Sequence, residues 1–175
     1  TTWGSEEDVL MTGTSTKSKV KVKKEDIARP DIDYTKGYGT YGEAVEALEK
    51  SIIDAKQNGN SRWEYGGITT EFDGRYYNSK PVTSHQKHAI YWSLNTLDSI
   101  SAHSTIEALH HYHPLEKSVL PKAFSDSDMN TYHNFNEYWG NTFKAIYLID
   151  KYGTRMYNGT TGYEGIECSN GISKC

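Results

Sequence analysis

The sequence predicts an α/β (α+β) domain in which a mixed β-sheet is flanked by helices. Three observations predict it. Residues 40–59 carry a capped, helical apolar period, "EFDGRY" places a hairpin turn between two aromatic and β-branched runs, and "STIEALHHYH" alternates as a strand before a second capped helix. With 175 residues the chain is long enough to bury a core without metal or disulfide staples. It is 35% hydrophobic and 24% charged, as a soluble folded protein is, and no run approaches the ~20 apolar residues that span a bilayer.

Residues 1–38 mix Thr, Ser, Lys and Gly without lasting periodicity, and are expected to be a linker or N-terminal arm. Within them "KSKVKVKK" (17–24) is a basic run without acids, which reads as a solvated arm because the net charge of −4 gives no general argument for nucleic acid. The start "TTWGSEED", without methionine, leads us to expect an excised domain or mature product. A single folded domain is then expected over 39–160, with a tail at 161–175. In that tail Cys168 and Cys175 can pair in an oxidising compartment but do not make a zinc site; Asn158 in "NGT" matches a glycosylation acceptor.

The first helix is set by a capping box, Thr40 with Glu43, and by Val45, Leu48, Ile52 and Ala55; Asn58–Gly59 stops it. In the hairpin that follows, Asp73–Gly74 is the turn. Alternation puts Glu64, Gly66 and Ile68 on one strand face and Trp63, Tyr65, Gly67 and Thr69 on the other, so an acid points the same way as an isoleucine. Residues 84–103 have no clean period. In the next strand Leu109, His111 and His113 share one face, and Ala108, His110 and Tyr112 the other. Ser125 is expected to cap a helix carrying Met129, Tyr132, Phe135 and Trp139, ended by Gly140. Residues 143–159 read as two strands around a Tyr152–Gly153 turn, and the 14 tyrosines are expected to pack half-buried strands.

Two histidines at i and i+2 on a strand can reach one ion, and neutral imidazole is a common zinc ligand. His111 and His113 meet that condition. Asp128, in the first turn of the following helix, is the natural third ligand, and Glu64 supplies a carboxylate that can act as acid or base beside the metal. Each residue also has an ordinary reading: Ser125 to Asp128 is a helix-capping sequence, Glu64 an ion-pair partner, and the histidines hydrogen-bonded strand residues. His110, on the opposite face, is read as structural. His133 is a weaker ligand candidate, and His85, His88 and His103 have no placement.

Taken together, "WEYGGI", "HYHP" and "SDSD" resemble the signature of JAMM-type zinc metallopeptidases, the MPN fold: a glutamate on an early strand, His-x-His-Pro, then Ser-x-x-Asp at a helix start. The longer set "EYGGI", "HHYHP", "FSDSDM" and "YLIDKYGTRMYNG" resembles a JAMM-like domain at the C-terminal ends of Rhs-type polymorphic toxins, over roughly residues 40 to 159. The resemblance implies an MPN-like fold with Zn2+ on His111, His113 and Asp128. It further implies Glu64 as general acid/base and Ser125 as an oxyanion donor, a role worth about 3 to 4 kcal/mol. It implies a secreted bacterial effector, delivered into a target cell by a secretion system, that cuts a peptide, isopeptide or amide bond in a protein or peptide substrate and is answered by a cognate immunity protein. The eleven residues between His113 and Ser125 are more than that signature usually has, which bears on substrate choice. Two other functions remain open: a metal-dependent His-His nuclease toxin, which leaves "EYGGI" unexplained, and a non-catalytic MPN-like binding module.

Overall fold

A computed structural model describes residues 8–13, 22–114, 126–139, 143–150, 153–159 and 166–167. The chain runs through β1 (Val9–Gly13), a short 3-10 helix (Lys24–Asp26), β2 (Ile27–Ala28), β3 (Ile32–Tyr38), α1 (Tyr41–Asn58), β4 (Tyr65–Phe72), β5 (Arg75–Ser79) and β6 (Val82–Thr83). It continues through β7 (Ala89–Ser93), α2 (Leu94–His103), β8 (Thr105–Tyr112), α3 (Asp126–Tyr138), β9 (Ala145–Asp150), β10 (Gly153–Tyr157) and β11 (Ile166–Glu167). Among the described residues these strands form a large mixed sheet, ordered β11-β10-β9-β8-β4-β5-β3 with β6 beside β4, and a smaller sheet ordered β1-β7-β2. No helix among them is long and apolar enough to cross a membrane.

The local signals act as expected in the middle of the chain. The Thr40 side chain accepts the Glu43 N–H at 3.2 Å and so starts α1, whose Val45, Leu48 and Ile52 are buried. Asp73 and Gly74 both have positive φ, 52° and 80°, the geometry of the tight turn that joins β4 to β5. The apolar stripe of α3 is inward at Met129, Tyr132 and Phe135, with Trp139 packed on its margin.

The large sheet is covered on both faces. On one side α1 lays Val45, Leu48 and Ile52 over Tyr65, Tyr112, Tyr147 and Ile149. On the other, Ile68, Leu109, Ile146 and Leu148 pack against Ile90 and Trp92 of the smaller sheet and against α2 and α3. Successive residues of β4 and β8 therefore go to different layers, as alternation predicts. One irregularity intervenes: the β4–β8 register shifts between Thr69 and Thr70, so that Ile106 and Leu109 reach the same core. Parallel pairing of β8 with β9 makes α3 part of the crossover between them, which brings the helix back over the sheet.

Two sequence expectations need correction. Residues 1–38 contain three paired strands rather than only an arm: β1 lies antiparallel to β7, with Leu10 opposite Trp92, and β3 forms the edge beyond β5. Their partners lie about forty to eighty residues away, so no local period betrays them. Within 17–24, Val22 is buried, so the basic run is not solvated throughout. Residues 84–103 hold a fully buried five-residue strand, β7, followed at once by α2, which Ser93 caps by accepting the Thr96 N–H at 3.2 Å. Adjoining elements of different period cancel each other's signal. The expected tail also contributes β11, paired with β10, while Cys168, Cys175, Tyr152 and Gly140 lie outside the described residues.

Candidate metal centre

The β4–β8 register determines which side chains can meet. Tyr65 pairs with Tyr112 and Gly66 with His111, so continuing the same antiparallel step sets Glu64 across from His113. Glu64 stands just before β4 and His113 just after β8, and each is tied beyond the ladder. The His113 N–H donates to the Ile149 carbonyl of β9 at 2.8 Å, and the Glu64 N–H to the Gln86 carbonyl at 2.8 Å. His111, two residues before His113, projects from the same face at the diagonal position.

The result is a buried trio. Glu64 and His111 are 0% exposed and His113 3%. One ligand atom from each lies within 4.8 Å of the other two, and His113 Nε2 stands 3.4 Å from Glu64 Oε1. The imidazole rings of His111 and His113 are 4.6 Å apart and inclined at 62°. Donors bound to one tetrahedral ion at about 2.1 Å lie about 3.4 Å from one another, so small side-chain rotations bring this set to a common ion. A carboxylate and two imidazoles taken out of water are costly to bury unless charge and hydrogen bonding compensate. The trio can therefore bind a metal ion, with two nitrogens and an oxygen as its donor set.

Gly66 makes the packing around the trio possible. A Cβ there would stand 2.5 Å from the His110 carbonyl oxygen and 2.8 Å from Ile90 Cδ1. Its absence lets the smaller sheet close over β4 and lets β8 keep its register beside the site.

Four of the five remaining histidines, all but His88, sort by geometry. His110 faces α1: its ring stacks on Tyr147 at 4.7 Å, and its Nε2 is 3.1 Å from the Thr69 hydroxyl. Thr69 in turn donates to Asn78 Oδ1 at 2.8 Å, so its oxygen accepts from the His110 Nε2–H. Complete burial, and secondarily the neighbouring His111, pushes the His110 pKa down to about 3. His110 is a neutral structural residue, as its strand parity predicts. His133 faces the Tyr157 hydroxyl at 3.2 Å, and His103 stacks on Phe72 near the far end of β4. His85 pairs with Asp26. None of these four belongs to the trio.

Of the five expected site residues, the structure thus brings Glu64, His111 and His113 together. Asp128 is in the first turn of α3, the position expected for it, but its side chain lies outside the described residues, as does Ser125. Sequence reasoning missed Gly66 as a packing requirement and missed the turn at 83–86 that holds Glu64. The only trace of the latter is the pair Thr83–Ser84, which has no distinctive spacing. No protein-family model matches the chain, and neither the curated proteins nor the solved structures give a significant match.

Proposed function

We propose that this chain is a zinc-dependent hydrolase of the JAMM/MPN type that cuts a peptide, isopeptide or amide bond, acting as a bacterial toxin effector delivered into a target cell. The observation that carries the reading is the burial of Glu64, His111 and His113 in one group within 4.8 Å, from segments whose motifs and order resemble the JAMM signature. A nitrogen-rich, partly anionic donor set suits zinc better than magnesium or calcium, which prefer oxygen ligands throughout.

In this reading His111 and His113 hold the ion, and Asp128, from the first turn of α3, is the third protein ligand. Zinc, when bound, supplies Lewis acidity, polarising a carbonyl and making water acidic near pH 7. Glu64 is the general acid/base: its carboxylate takes the proton of the attacking water and returns it to the departing amine. Its enclosure keeps bulk water from competing for that proton. Ser125 donates a hydrogen bond to the developing oxyanion. Substrate is a protein or peptide, selected in part by the long segment between His113 and Ser125, and a cognate immunity protein is the expected partner in the producing cell.

The test is metal content and toxicity on expression in a bacterial host. Wild type should carry about one zinc per chain; His111→Ala should lose both zinc and toxicity, and Glu64→Gln should keep zinc while losing toxicity. Full toxicity of Glu64→Gln would refute the hydrolase. Nicking of nucleic acid that survives Glu64→Gln but disappears in His110→Ala would point instead to the His-His nuclease.

A further inference from the structure

Glu64 is not held by the ladder that fixes the rest of its strand, because pairing with β8 begins at Tyr65. Both of its backbone polar groups bond instead to one turn. Its N–H donates to the Gln86 carbonyl at 2.8 Å, and its carbonyl accepts from the Thr83 hydroxyl at 2.7 Å. The Thr83 oxygen also accepts the His85 N–H at 3.2 Å, so a single hydroxyl joins the turn to the Glu64 main chain.

The turn is itself braced. His85 has φ of 58°, a left-handed conformation that costs a non-glycine residue about 1 kcal/mol or more and that surrounding contacts must maintain. Asp26, at the end of the 3-10 helix, accepts from His85 Nδ1–H at 2.9 Å, and Trp63 meets the His85 ring edge-on at 4.7 Å. Behind the turn, Ser84 Oγ accepts the Tyr91 N–H at 2.8 Å. The phenol of Tyr91 is raised above its ordinary pKa by burial first and then by the charges of Asp26 and Glu64. Hydrogen bonds thus run from Asp26 through His85 and Thr83 to the Glu64 carbonyl.

We infer that Thr83, His85 and Asp26 are positioning residues for Glu64, forming a clamp that fixes both of its peptide planes and so aims its Cα–Cβ bond at His111 and His113. The inference rests on the reading of Glu64, His111 and His113 as a metal centre, and it adds a supporting layer drawn from a different part of the chain. None of the three touches the reacting atoms. Their role resembles that of the outer partners of other metal sites, whose loss typically weakens metal binding or activity about 10- to 100-fold.

The experiment uses the full chain, with zinc content as its control. Toxicity on expression in a bacterial host is scored, and the Glu64 carboxyl 13C resonance, assigned by its disappearance in Glu64→Gln, is followed at fixed pH without metal. Thr83→Val keeps the side-chain shape and removes the hydroxyl. It should lower toxicity about tenfold and displace the Glu64 resonance while keeping zinc, as Glu64→Gln does; Asp26→Asn should do so less, and Thr83→Ser should restore the wild-type resonance and toxicity to within about twofold. A folded Thr83→Val with unchanged resonance and toxicity would overturn the clamp, as would a Thr83→Ser as defective as the valine variant. Should Thr83→Val not fold, Asp26→Asn decides by the same two readouts. If wild type binds no zinc, the hydrolase reading fails, and the metal-free resonance alone then decides the clamp.

Discussion

His110 and His111 are neighbours on one strand, and the two faces of the sheet give them opposite chemistry. Toward α1, His110 finds an aromatic ring and a threonine hydroxyl and is held neutral by burial. Toward α3 and the smaller sheet, His111 finds a second imidazole and a carboxylate. The same residue type is thus a core residue on one face and a candidate metal ligand on the other. What separates them is the two-residue period of a strand together with what the opposing strand places across from each.

The sharpest way to break that comparison is to delete each imidazole in turn. His111→Gln should abolish stoichiometric zinc, a loss of 100-fold or more in affinity by the order of magnitude expected for a first ligand, whereas His110→Gln should leave zinc binding within about threefold of wild type. Metal analysis after dialysis reads both, and equal losses would erase the distinction between the faces.

Gly66→Ala comes next, because it disturbs the strand that both faces share. Its Cβ would overlap the His110 carbonyl oxygen at 2.5 Å, a backbone atom that cannot swing aside. The expected cost is about 2–4 kcal/mol, read from denaturant unfolding, with weakened zinc binding alongside.

Acid distinguishes the faces in a third way. With its pKa lowered from 6.5 to about 3, His110 binds its proton in the unfolded chain before it does in the folded one. Its contribution to stability is therefore full above about pH 6.5 and is lost as pH falls toward 3, on the order of 3 kcal/mol by pH 4. The metal-free His110→Gln variant should lose stability less steeply between pH 6.5 and 4 than the wild type. Unfolding free energies across that range check it.

The smallest effect belongs to the periphery of the α1 face. Tyr41 and Tyr147 share a hydrogen bond of 2.8 Å between their hydroxyls, and burial raises both phenols so that they stay neutral. Tyr147→Phe removes one hydroxyl while leaving the ring that stacks on His110. It should cost about 1 kcal/mol in thermal or chemical unfolding, with no change in zinc binding.

How far the molecule was legible depends on whether a signal is local. Thr40, Asp73–Gly74 and the alternation through His113 act over a few residues, and each specifies its element. β1 and β7 are legible only as a pair, since Leu10 finds Trp92 and neither segment has a period of its own. β7 is buried throughout and merges into α2 at Ser93, so its apolar run reads as neither strand nor helix. The candidate site divides in the same way. His111 and His113 share a face by local alternation, but their meeting with Glu64 requires the β4–β8 register. The turn that holds Glu64 depends on Asp26, from a third segment.

The sequence by itself determined the central helix, the hairpin, the strand faces and the residue types available for chemistry, because caps, turns and alternation are short-range properties of the backbone. Only the tertiary structure decided that β1 to β3 belong to the sheets, that Gly66 must lack a side chain, and that Glu64 is aimed by Thr83, His85 and Asp26. Those facts depend on which distant segments pack together, and packing is set by the complementarity of surfaces that exist only once the chain has folded.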